Sequence, residues 1–86
     1  MMIHYVYILY SENIDKYYIG SSHDPEMRLN YHNRSKKGWT KRGIPWKIVY
    51  EQGFSDKTTA MDKEKYIKRQ KSREYIEKLI SGKYSI

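Results

Sequence analysis

Residues 5–20 read Tyr5-Val6-Tyr7-Ile8-Leu9-Tyr10-Ser11-Glu12-Asn13-Ile14-Asp15-Lys16-Tyr17-Tyr18-Ile19-Gly20. Tyr5 to Tyr10 is a run of aromatic and branched residues, the types that fit a pleated, half-buried strand. Lys16 to Ile19 is a second such run, and Glu12 to Asp15 between them has turn composition, so the stretch predicts a β-hairpin. With a symmetric four-residue loop, Tyr7 lies opposite Gly20 and Leu9 opposite Tyr18. Side chains alternate along strands, so Tyr7 and Tyr18 then share a face, and Gly20 leaves open space above Tyr7. A loop one residue longer or shorter would reverse that facing. Both also read as ordinary strand tyrosines in a chain with ten Tyr.

Downstream, Asp24-Pro25 predicts a helix start, with an N-cap followed by Pro at the first helical position, and the helix runs to about Tyr31 or Asn33. Residues Arg34 to Gly43 are polar and basic with no acidic residue, which predicts an exposed loop carrying Trp39. Pro45 to Tyr50 is a third strand, ended by Gly53. Asp56 or Ser55 caps a second helix over about Lys57 to Gln70, with Ala60, Glu64 and Ile67 on one face. Ser72 caps a third, whose Ile76, Leu79 and Ile80 form an apolar stripe that Gly82 ends. The order is β-β-α-β-α-α, an α/β (α+β) arrangement with helices packed on a small sheet.

With 86 residues the chain is long enough for one domain, expected over 1–86. Only 38% of residues are apolar, so aromatic side chains supply much of the core. No cysteine is present, which excludes disulfides and thiolate metal sites but leaves His and carboxylate sites open. No apolar stretch approaches the roughly 20 residues that span a bilayer. The start, Met1-Met2-Ile3-His4, has neither the basic nor the apolar region of a signal peptide, so no membrane association and a cytoplasmic location are expected. The net charge of +7 favours a polyanionic partner, nucleic acid first, over a merely solvated basic surface.

Three further residues carry potential chemistry. Arg28 and His32 are one helical turn apart and share a face. Arg offers a planar fork for phosphate oxygens and His titrates near neutral pH, although the pair also reads as a solvated basic face. Glu64 lies on an apolar stripe, where a carboxylate needs a partner. That partner is either Lys68, at i,i+4 spacing, or a hard cation such as Mg²⁺.

Taken together, these residues resemble the GIY-YIG endonuclease superfamily. Tyr5-Val6-Tyr7 matches its first motif, with Tyr5 where Gly is usual and Val6 in place of Ile, and Tyr18-Ile19-Gly20 matches its second. Arg28, His32 and Glu64 follow in family order, and the resemblance runs from about Ile3 to Ile80, closest to the small standalone bacterial branch. It implies a three-stranded antiparallel sheet flanked by helices. It also implies a metal-dependent DNA endonuclease hydrolysing phosphodiesters, in DNA repair or recombination. In that reading Glu64 binds Mg²⁺ (or Mn²⁺), Tyr7 or Tyr18 handles the proton of the attacking water, Arg28 stabilises the transition state, and His32 relays a proton or binds phosphate. The alternative is a non-catalytic nucleic-acid-binding module on the same fold.

Arg34, Lys36, Lys37, Lys41 and Arg42 in the basic segment, with Lys63, Lys65, Lys68 and Arg69 on the second long helix, are the expected backbone contacts. Trp39 is expected either to stack on a base or to anchor its loop. No sequence-reading element is present, so the expected preference is structure-directed, for DNA with RNA as a further substrate. A protein partner that supplies targeting is also expected.

Overall fold

The computed structural model describes residues 3–82; residues 1–2 and 83–86 lie outside the described residues, and with them the ends of the expected 1–86 domain and Met1-Met2 of the expected non-signal start. Three strands, β1 (His4–Ser11), β2 (Lys16–Ser22) and β3 (Trp46–Phe54), form an antiparallel sheet in the order β2-β1-β3. The helices are α1 (Pro25–Asn33), α2 (Gly38–Arg42), α3 (Lys57–Gln70) and α4 (Arg73–Ile80).

The hairpin has the symmetric four-residue loop: Ser11 pairs with Lys16, Leu9 with Tyr18 and Tyr7 with Gly20. Asp15 takes the left-handed conformation that closes the turn, at φ 53°, which Asp tolerates better than most residues. Its carboxylate accepts from the Tyr10 hydroxyl at 2.6 Å and pairs with the Arg73 guanidinium, tying the turn to the start of α4.

Alternation along β1 builds two cores on opposite sides of the sheet. Val6 and Ile8 face α3 and α4, where Ala60, Ile67 and Leu79 are buried with them. Tyr7 and Leu9 face the other way, against Trp46, Tyr18 and Leu29. Each fully buried large aliphatic side chain contributes about 1.5–3 kcal/mol.

Side-chain caps set the starts of three helices. Asp24 accepts from Met27 N at 3.1 Å, Asp56 from Thr59 N at 2.8 Å, and Ser72 from Tyr75 N at 3.1 Å. Each such cap stabilises its helix by about 1 kcal/mol.

Two expectations are corrected. The basic segment is not all loop: residues 38–42 form α2, and the Gly43 amide closes back onto Trp39 and Thr40 carbonyls. Nor does β3 end at Gly53. It continues to Phe54, paired with His4, past a register shift opposite Ile8/Leu9, and Gly53 pairs with Tyr5. A Cβ at Gly53 would come within 2.8 Å of Ile3 and 3.2 Å of Tyr5, so glycine lets the strand pass beneath both side chains. Among the described residues, no helix is long and apolar enough to cross a membrane.

Candidate active site

The sheet's edge strand, β2, is where the chemically capable residues meet. Tyr7 is 1% exposed and leans across its partner Gly20. The space above Tyr7, which the sequence led one to expect open, is therefore closed. The tyrosine ring itself fills it, with the hydroxyl 2.5 Å from where a Gly20 Cβ would stand. The absent side chain brings the Tyr7 hydroxyl towards the rim of the sheet.

Arg28, from α1, meets it there. Burial pushes the Tyr7 hydroxyl above its ordinary value of 10.0; contact with the Arg28 guanidinium lowers it less, and the nearby Tyr18 and Glu64 charges raise it further. The same contact raises the Arg28 pKa, so the guanidinium stays charged. Arg28 Nε is buried and has no hydrogen-bond partner among the described residues. Tyr18, Arg28 and Glu64 are thus each within electrostatic reach of Tyr7.

His32 is not part of a solvated basic face; it is 5% exposed. Its Nδ1 lies 2.9 Å from the Arg28 carbonyl, which can only accept, so Nδ1 carries the proton. Nε2 is the ring nitrogen left free of that contact. The ring packs edge-on to Tyr18, with centroids 4.4 Å apart, and tilts towards Trp46 at 6.2 Å.

Glu64 approaches the same edge from the opposite side of the sheet, on α3. The Ser21 hydroxyl donates to one carboxylate oxygen at 2.7 Å, and Lys68 Nζ donates to the other at 2.7 Å. The Glu64 side chain is 19% exposed and that of Lys68 is 52% exposed. The local Lys68 pair foreseen for this carboxylate is therefore formed. The described residues contain no cluster of three or more His, Cys, Asp or Glu side chains able to share a cation.

The remaining positively charged residues divide between the two faces. Arg34, Lys36, Lys37, Lys41 and Arg42 are exposed around α2, on the side of Tyr7 and Tyr18. Lys63, Lys65, Lys68 and Arg69 lie on α3, on the other side, with Lys63 Nζ held over the Tyr66 ring at 5.1 Å. The structure does not bring the two groups onto one face. Trp39 anchors its segment, with its ring resting on Trp46 at 5.4 Å, and it is 49% exposed.

Sequence reasoning missed Ser21 and Asn33. Ser21 directly follows the Tyr-Ile-Gly triplet, and strand alternation from Ile19 already turns it towards α3. Asn33 accepts from Trp46 N at 2.6 Å and donates to Trp46 O at 3.0 Å, fastening the end of α1 to the start of β3. No local pattern signals that pairing.

A tyrosine pair, an arginine and a carboxylate thus gather at a sheet edge beside a buried histidine. The chain belongs to the GIY-YIG catalytic domain family, which it matches over residues 3–78. A UPF0213 protein of Streptococcus pneumoniae serotype 4 is 40% identical over 68 residues, covering 78% of this chain and 68% of its own length. A second UPF0213 protein, from Staphylococcus haemolyticus, is 37% identical over 81 residues, covering 90% and 98%. The structure-specific endonuclease subunit slx1 of Schizosaccharomyces japonicus is 41% identical over 66 residues, which cover 70% of this chain but only 24% of that protein. No solved structure gives a significant match.

Proposed function

We propose that this chain is a metal-dependent endonuclease that hydrolyses DNA phosphodiesters at the β2 edge. The observation that carries this reading is the meeting of Tyr7 with Arg28, within electrostatic reach of Tyr18 and Glu64, in a chain of a nuclease family.

Metal chemistry is consistent with the donor set. Glu64 is a recessed single carboxylate whose oxygens face a hydroxyl and an ammonium, and Mg²⁺ commonly uses one carboxylate with waters and phosphate oxygens. Mg²⁺ or Mn²⁺ held by Glu64 would polarise the scissile phosphate and stabilise the leaving oxygen. Lys68, on a half-exposed side chain, would move aside for it, while Ser21 keeps the carboxylate oriented.

The protein's own groups supply the rest. Tyr7 is neutral in the free protein, since burial outweighs Arg28, and holds its proton until a phosphate and its counter-charges arrive. Tyr7 or its neighbour Tyr18 then manages the proton of the attacking water. Arg28 donates to the phosphate oxygens as negative charge builds. His32 relays a proton or binds phosphate through Nε2, the ring nitrogen not held by the Arg28 carbonyl. Arg34, Lys36, Lys37, Lys41 and Arg42, with Trp39, contact the strand on one side of the site, and Lys63, Lys65 and Arg69 contact it on the other. The name of the slx1 relative, a structure-specific endonuclease subunit, supports structure-directed substrate choice and a protein partner for targeting, while a role in DNA repair or recombination rests on the family resemblance alone.

A non-catalytic nucleic-acid-binding role is the second reading, favoured by the engagement of both Glu64 oxygens. Incubating the protein with labelled branched, single-stranded and duplex DNA, and with RNA, in Mg²⁺, Mn²⁺ or EDTA separates the two. Cleavage that EDTA abolishes supports the nuclease; low-salt binding without cleavage in either metal supports the binding module.

A further inference from the structure

A cleft of about 370 Å³ opens beside the candidate active site, where the amino ends of α1 and α3 approach the start of β1. Arg28 and Ser21 line it, so it is continuous with the site at the β2 edge. His4, His23 and Lys57 line it as well, and no carboxylate does. None of these three belongs to the set of residues assigned to the reaction.

We infer that this cleft is a second phosphate subsite, in which His4, His23 and Lys57 hold a phosphate group of the nucleic-acid strand next to the reacting one. Four observations converge on an anion there. The lining is cationic or neutral. The acidic caps at these helix ends, Asp24 and Asp56, are committed to Met27 N at 3.1 Å and Thr59 N at 2.8 Å, and neither they nor Glu26 in the first turn of α1 line the cleft. Ser22 Oγ accepts from Asp24 N at 3.0 Å, which leaves its hydroxyl proton for a further acceptor. Arg28 Nε is a buried donor with no acceptor among the described residues, and leaving such a group unsatisfied is costly.

The apolar part of the lining fits the same ligand. Met27 and Met61, 50% and 36% exposed, form opposite walls of a cleft that is otherwise polar. A sugar-phosphate backbone presents this alternation, with an anionic group for the basic floor and a largely apolar sugar for the thioethers. Inorganic anions alone would gain nothing from the methionines. Both helix amino ends add favourable partial positive charge.

The inference rests on nucleic acid being the ligand of the neighbouring site, and the test keeps the two apart by measuring binding without chemistry. Anisotropy of fluorescein-labelled single-stranded, duplex and branched DNA is recorded in EDTA from about 50 to about 200 mM KCl, the range over which phosphate contacts dominate. The variants are His23→Gln/Lys57→Gln and, as a control matched for the lysine charge, Lys47→Gln, whose ammonium pairs with Glu12 away from the cleft. All replaced side chains are exposed, so folding is expected to survive and circular dichroism checks it.

The double variant should lower the slope of log affinity against log salt by about 0.7–0.9, the amount that one neutralised phosphate contributes, with Lys47→Gln near wild type. Comparing 5′-phosphorylated with 5′-hydroxyl oligonucleotides assigns the source. A 5′-phosphate preference that disappears in the double variant marks a terminal phosphate, and an equal weakening on both oligonucleotides marks an internal one. A slope equal to that of Lys47→Gln overturns the subsite, even if the wild type cleaves. A lowered slope in a protein that never cleaves keeps the subsite and refutes the nuclease.

Discussion

The Tyr7 ring lies over Gly20 of the neighbouring strand, its hydroxyl oxygen only 2.5 Å from the position a Cβ on that glycine would take. The glycine thus has a task beyond backbone freedom, since any side chain there would push the hydroxyl away from Arg28. Gly20→Ala should destabilise the fold by about 1–3 kcal/mol through overpacking. It should also lower cleavage at least about tenfold in the fraction that remains folded. Tyr7→Phe keeps the ring and removes the hydroxyl, so its melting temperature should stay near wild type while the single-turnover rate falls by about 10²-fold or more. Thermal melts beside single-turnover assays separate the two effects.

Lys68 sits where a cation would reach Glu64 Oε2, at 2.7 Å. Lys68→Ala should therefore lower the Mn²⁺ concentration that gives half-maximal cleavage. Its cost in stability should stay below about 0.5 kcal/mol, because the lysine side chain is 52% exposed and exposed pairs contribute little. A metal titration of both proteins reads the first, and urea unfolding reads the second. An unchanged or higher metal requirement would show that the ammonium does not compete for that oxygen.

Lys71 closes α3 in the left-handed conformation, at φ 48°. Residues with a Cβ are strained there by about 1–2 kcal/mol, and glycine is the usual occupant of such a cap. Lys71→Gly should stabilise the protein by about 0.5–1 kcal/mol, seen as a melting temperature raised by a few degrees. A lowered melting temperature would mean that glycine's larger entropy in the unfolded chain wins.

Stability should form a plateau bounded by two sets of groups. Burial raises Tyr7, Tyr17 and Tyr50 above 10.0, so the folded chain holds these protons more tightly than the unfolded one. That contribution is present below about pH 10 and is lost as pH rises through that value towards the folded pKa values. Asp15 and Asp56 are depressed below 3.8, Asp15 chiefly by Arg73 and Asp56 chiefly by the Thr59 amide. Their contribution is present above pH 3.8 and is lost as pH falls through the folded values. Melts from acid to alkali should show both declines, and Tyr50→Phe should soften the alkaline one.

The hairpin was legible because its alternation and a four-residue loop leave one register that pairs Tyr7 with Gly20, and the caps at Asp24, Asp56 and Ser72 were legible because they act within one turn. α2 was not, since residues 38–42 are too few and too polar to show helical periodicity; the short helix is held by Trp39 against Trp46, a contact visible only in three dimensions. Site residues were readable one by one, but their meeting was not. Arg28 and Glu64 come from helices on opposite sides of the sheet, and only the edge position of β2 brings both within electrostatic reach of Tyr7. Asn33 and Ser21 act through long-range hydrogen bonds to Trp46 and Glu64, which local pattern cannot announce.

The central claim is that Glu64 and Tyr7 work in one metal-dependent reaction. It is tested most directly by comparing wild type with Glu64→Gln, which keeps a carbonyl oxygen for Ser21 and removes the charge. Each is assayed in Mg²⁺ and in EDTA on whichever DNA the wild type cleaves, with binding measured alongside. The expected outcome is a folded variant that binds DNA as well as wild type and cleaves at least about 10²-fold more slowly, with EDTA abolishing the wild-type activity. Equal cleavage by the two proteins, or wild-type cleavage that survives EDTA, would contradict it.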